Sequence, residues 1–92
     1  SEVPMASQIV KPALSPVDAA WVAAYVASHG PIPISIGGHP ATMQADGSII
    51  IEARPVDVTT TLHLAMSSED QNAVRESAPG WVAAWRERGG AA

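Results

Sequence analysis

Residues alternate by twos from Val58 to Met66. Val58, Thr60, Leu62, Leu64 and Met66 form one row, and Thr59, Thr61, His63 and Ala65 the other. This spacing predicts a strand with one apolar face toward a core and a Thr/His face toward solvent or a partner. Upstream, Ser48–Arg54 carries Ile49, Ile51 and Ala53 on one side and Ile50 on the other. Three consecutive Ile predict a central strand, at least partly covered on both faces. Arg54-Pro55-Val56-Asp57 reads as the turn between these two strands, and Ala45-Asp46-Gly47 as a hairpin turn before the first.

Two further short strands precede them. Ile32, Ile34 and Ile36 alternate with Pro33 and Ser35, and Pro33 restricts this run to an edge because it cannot donate to a ladder. Ala41–Gln44 is a candidate for a short strand. Between the two, Gly37-Gly38-His39-Pro40 reads as a turn or loop. A Gly pair beside a His suggests a phosphate loop, but the Lys and Ser/Thr of such a loop are missing and no helix start follows.

Helical spacing appears at both ends. Ser15-Pro16-Val17-Asp18 combines a capping Ser, a Pro suited to the first turn and an early acid. Val17, Trp21 and Tyr25, with Val22 and Val26 alongside, predict an apolar stripe on a helix running to about Ser28. His29-Gly30-Pro31 ends it. Ser67–Asp70 is a second cap, and Val74, Ala78, Trp81, Val82 and Trp85 fall on one helical face. Pro79-Gly80 interrupts that face. Because Pro inside a helix costs roughly 3 kcal/mol, two short helices, Ser68–Ser77 and Gly80–Arg88, or one sharply kinked helix are expected. The fold class is therefore α+β: an N-terminal helix, a small three- or four-stranded mostly antiparallel sheet, and a broken C-terminal helical segment. Residues 15–90 form the single domain. Residues 1–14, punctuated by Pro4 and Pro12, read as a flexible arm or linker. The opening Ser fits an excised domain or a tag scar.

Composition narrows the function. The 92 residues carry a net charge of −4, which argues against a nucleic-acid footprint of clustered Lys and Arg. No run of about 18 apolar residues predicts a membrane span. The absence of cysteine excludes disulfides and thiol chemistry, and fits a reducing compartment or export through a channel in an unfolded state. His29, His39 and His63 lie on three predicted elements without the spacing of a metal site. No serine sits in a nucleophile elbow, and Asp46, Glu52 and Asp57 lack a paired acid or pocket. The chain is read as non-enzymatic, with neither metal nor cofactor. Candidate partner-binding residues are Thr59, Thr61 and His63 on the strand face, and Trp81, Trp85 and Arg86 near the chain end, since Trp and Arg are enriched at interface hot spots.

From Ile32 to Gly90 the order of elements resembles the C-terminal domain of flagellar hook-length control proteins and their needle-length counterparts. His39-Pro40 stands at the end of the first strand, with Ile49–Arg54 and Val58–Met66 as paired strands. Ser67–Gly89 is similar in layout to the closing helix, with Val74-Arg75, Pro79, Trp81 and Trp85 near the family's Leu positions, and Gly89. The resemblance implies a substrate-specificity switch of type III secretion, acting in the cytoplasm or exported through a secretion channel. Its partner would be the cytoplasmic domain of the export gate. The alternative from composition is a small acidic adaptor or inhibitor docking on a basic partner.

Overall fold

A computed structural model describes residues 7–52, 54–55, 63–64 and 66–90. Strand β1 (Ser7–Val10) leads into helix α1 (Pro16–His29), then β2 (Ile32–Ile36), β3 (His39–Met43) and β4 (Ile49–Glu52). These four strands form one antiparallel sheet in the order β1-β4-β3-β2. The chain enters at one edge, crosses over through α1 to the other, and meanders back to fill the centre. Two residues each form β5 (Arg54–Pro55) and β6 (His63–Leu64), a separate antiparallel pair. Helix α2 (Ser68–Arg88) closes the fold. The α+β class is as the sequence predicts.

Helix ends follow the sequence closely. The Ser15 hydroxyl accepts the Asp18 N–H at 3.1 Å, and the Ser67 hydroxyl accepts the Asp70 N–H at 3.1 Å. At the far end of α2, Gly89 takes a left-handed conformation. The Gly90 N–H reaches the Trp85 carbonyl at 2.9 Å and the Gly89 N–H the Arg86 carbonyl at 3.2 Å. This pairing satisfies two of the carbonyls that a helix C-terminus leaves open.

Strand β4 sits between β1 and β3, with Ile49 and Ile51 fully buried. They join Val10, Ile32, Ala41 and Met43 from the sheet, Val22 from α1, and Val74, Ala78 and Val82 from α2 in one core cluster. Both helices therefore contribute to the same face of the sheet, here called inner. Full burial of each Ile is worth roughly 1.5–3 kcal/mol.

The turns set the register. Gly37 and Gly38 both have positive φ, 55° and 82°, as two-residue hairpin loops of type I′ need. In the β3–β4 turn the Asp46 carboxylate accepts the Ser48 N–H at 2.9 Å. That bond favours the charged form and holds the Asp46 carboxyl below its usual range. Gly47 sits at φ 90°, a conformation that L side chains rarely adopt, and a Cβ there would press on Leu14 Cδ1 at 3.0 Å.

Four expectations are corrected. First, Ser7–Val10 is a strand where residues 1–14 were expected to form an arm. Its alternation is short, but Val10 fills the core and each of its residues pairs with β4. Second, the α1 stripe is rotated. Val17 is 61% exposed, and the buried line runs through Asp18 and Val22, with Trp21, Tyr25 and Val26 flanking it. An ion pair at Asp18, described below, allows a carboxylate on the core-facing side. Third, the closing segment is not two short helices, because α2 is one 21-residue helix through Pro79. Val74, Ala78 and Val82 lie at successive four-residue steps and bury together, which outweighs the hydrogen bond Pro79 cannot donate. Fourth, Ile49–Glu52 does not pair with a strand from Val58–Met66. Both edges of β4 are taken by β1 and β3, and among the described residues the later pairing lies beyond it, as Arg54↔Leu64 and Pro55↔His63. Residues 58–62 and 65 of that expected strand lie outside the described residues.

Candidate docking face of the sheet

The face of the sheet opposite the helices carries a row of its own. The pairings Ile9↔Ile50, Ile50↔Thr42 and Thr42↔Pro33 place these four side chains side by side across all four strands. Ile9 is 61% exposed, Pro33 is exposed, and Ile50 and Thr42 are half-buried. Strand alternation forces this arrangement, because burying Ile49 and Ile51 inward turns Ile50 outward.

Beside the row, Pro33, Pro40, Thr42, Ile50 and Glu52 border a shallow hollow of about 210 Å³. The Thr42 hydroxyl accepts the Gln44 side-chain amide at 2.9 Å. Glu52, exposed, supplies the carboxylate of this face. Among the described residues the helices pack on the other side only. Among the described residues the face is an apolar strip with Glu52 at its rim, suited to binding another surface.

The two edges of the sheet differ. Pro33 lies in β2 and blocks one edge from pairing. β1 forms the other edge with no proline within it. Its Gln8 side chain is already engaged. Gln8 Nε2 donates to the Met66 carbonyl at 2.9 Å, and the Met66 N–H donates to Gln8 Oε1 at 2.9 Å. Gln71 Nε2 gives the same carbonyl a second donor at 3.1 Å. The Gln8 amide thus imitates a strand pairing and fastens β1 to the start of α2.

The sequence candidates are dispersed. Thr59 and Thr61 lie outside the described residues. The His63 backbone pairs with Pro55 in β6, and its side chain also lies outside them. Trp81 and Trp85 are half-buried and pack against the core cluster. Arg86 is held within the fold: its Nε donates to Asp18 Oδ1 at 2.7 Å, joining α2 to α1 across a largely buried carboxylate. Next to this contact, Trp21, Tyr25 and His29 stack along α1, with ring centroids 5.0 and 4.2 Å apart. The structure thus brings Trp81, Trp85 and Arg86 together on the helix side of the molecule.

Sequence reasoning missed Ile9 and Pro33 as surface residues of one strip. The signal was the Ile triplet, whose middle member has to face away from its neighbours. No helix among the described residues is long and apolar enough to cross a membrane. The chain matches no protein-family model, no curated protein and no solved structure.

Proposed function

We propose that this chain is a non-enzymatic protein–protein interaction domain that docks through the outer face of its sheet. The observation that carries this reading is the row Ile9–Ile50–Thr42–Pro33, exposed at Ile9 and Pro33, set opposite the inner face on which both helices pack. The partner is a protein with an apolar patch and a basic residue at its edge. Glu52 at the rim and the net charge of −4 complement such a surface.

In its specific form, the reading is a substrate-specificity switch of type III secretion whose partner is the cytoplasmic domain of the export gate. Support comes from the single closing helix, with Val74-Arg75, Pro79, Trp81 and Trp85 on it and Gly89 capping it.

The test is an NMR titration of the folded, isotopically labelled chain with that export-gate domain. Saturable shifts at Ile9, Thr42 and Ile50 are expected, and Ile50→Lys should abolish them while the chain stays folded. Absence of binding at high micromolar concentration sinks the export-gate assignment. Shifts confined to exposed acids of α2 and erased by salt would instead favour the acidic adaptor, because exposed charge pairs are screened.

A further inference from the structure

On the helix side of the sheet, well apart from the outer face, lies a cleft of about 460 Å³. The tip of the β2–β3 hairpin and the first turns of α2 form its walls. Ile36, Met66, Ala73 and Val74 make it apolar, and Gly37 shapes its mouth. A volume of several hundred Å³ with few polar groups is the usual description of a small-ligand site.

Among the described residues two polar side chains line it, His39 and Asp70. His39 is only 6% exposed, and its Nδ1 has no hydrogen-bond partner. Buried polar atoms are nearly always paired, so an orphan of this kind beside a cleft marks an interaction the chain does not supply itself. Asp70 is exposed and contributes a carboxylate, and no Lys or Arg among the described residues lines the cleft. The nearby helix N-terminus does not make this an anion site. Glu69 and Asp70 occupy its first turn, and the Asp70 N–H is already bound to the Ser67 hydroxyl. A carboxylate accepts only, and the imidazole Nδ1 accepts when the ring proton sits on Nε2. The cleft therefore favours a ligand that donates.

We propose that this cleft binds a small organic cation: an apolar body resting on Ile36, Met66 and Val74, with a protonated amine that donates to Asp70 and His39. The assignment is independent of the docking role of the outer face, and the two can fail separately.

The test titrates the labelled full chain at neutral pH with phenethylamine, 2-phenylethanol and 3-phenylpropionate. Phenethylamine should give saturable amide shifts centred on Gly37, Ala73 and Val74, and a change in the His39 ring nitrogen signal. It should bind about three- to fivefold tighter than the alcohol, the range an accessible ion pair supplies, with the acid weakest. Asp70→Asn should lower the amine to the level of the alcohol. Ala73→Phe, at an exposed helix position, should fill the cleft and remove the shifts for both. Equal or tighter binding of 3-phenylpropionate overturns the cation assignment. So does the absence of saturable shifts with all three probes into the high millimolar range. A Phe-Lys dipeptide that binds more tightly than phenethylamine would transfer the site to a partner protein's side chain and overturn the small-ligand assignment.

Discussion

Ile49 and Ile51 are fully buried, whereas Ile50 between them stands half-buried on the other side of the same strand. The side chains are identical, and the strand is central for all three. What differs is what lies opposite. Inward, Val22, Val74, Ala78 and Val82 come from two helices and complete the packing. Outward, the strand partners of Ile50 among the described residues are Ile9 and Thr42. A hydrophobic run identifies a central strand, but the cover over each face is decided by the connections. Here α1, crossing from one edge to the other, and α2, tied down through Gln8 and Arg86, both pack on the inner face.

The largest expected effect puts this contrast on one strand. Ile51→Ala removes a fully buried side chain and should cost about 2–5 kcal/mol. Ile50→Ala should cost about 1 kcal/mol, since full burial of Ile is worth only roughly 1.5–3 kcal/mol. Denaturant unfolding of both variants measures the difference. Equal losses would mean that the outer face is packed in the free domain, and the docking reading would lose its basis.

A smaller effect concerns how α2 is held over the inner face. Gln8→Ala deletes both hydrogen bonds to the backbone of buried Met66. The Met66 carbonyl keeps Gln71, while its N–H loses its partner. A loss of about 1–3 kcal/mol is expected, with faster amide exchange at Met66 and in the first turn of α2. An unchanged unfolding midpoint and unchanged exchange would show that the clamp contributes nothing to closure.

These contrasts also show what was legible in the residues. Both helix starts, the glycine caps and the edge position of the Pro33 strand follow from local chemistry, and the structure has them. The register of the β3–β4 hairpin was partly legible in Ala45-Asp46-Gly47. A slip of one residue there would exchange Ile50 with Ile49 and Ile51, and the positive φ of Gly47 beside Leu14 opposes it. Long-range facts were not legible. β1 is four residues long, too short for its alternation to stand out, and its pairing is with residues 39 to 45 positions away. Asp18 reads as a helix-start acid until Arg86, 68 positions on, is seen beside it. Pro79 argued locally for a break, and three buried residues on one stripe overruled it. The outer strip needed the same long-range knowledge, because Ile9, Ile50 and Pro33 share a face only once the strand order is known.

The smallest expected effect on stability is at Ile9, where the two faces part most clearly. Val10, its neighbour, is wholly buried, while Ile9 is 61% exposed. Ile9→Thr keeps a β-branched side chain suited to a strand and removes exposed apolar surface. Away from core and caps such a change stays within about 0.5 kcal/mol, so the unfolding midpoint should barely move. If the outer face docks a partner, the same substitution should still weaken binding, because it removes the apolar end of the row. Loss of binding at constant stability would assign Ile9 to the interface. Unchanged binding, measured on a chain whose partner is otherwise captured, would confine docking to the Ile50–Pro33 half of the strip. A fall in stability comparable to that of Ile51→Ala would show that Ile9 is covered in the free domain, and that the division between the faces runs elsewhere.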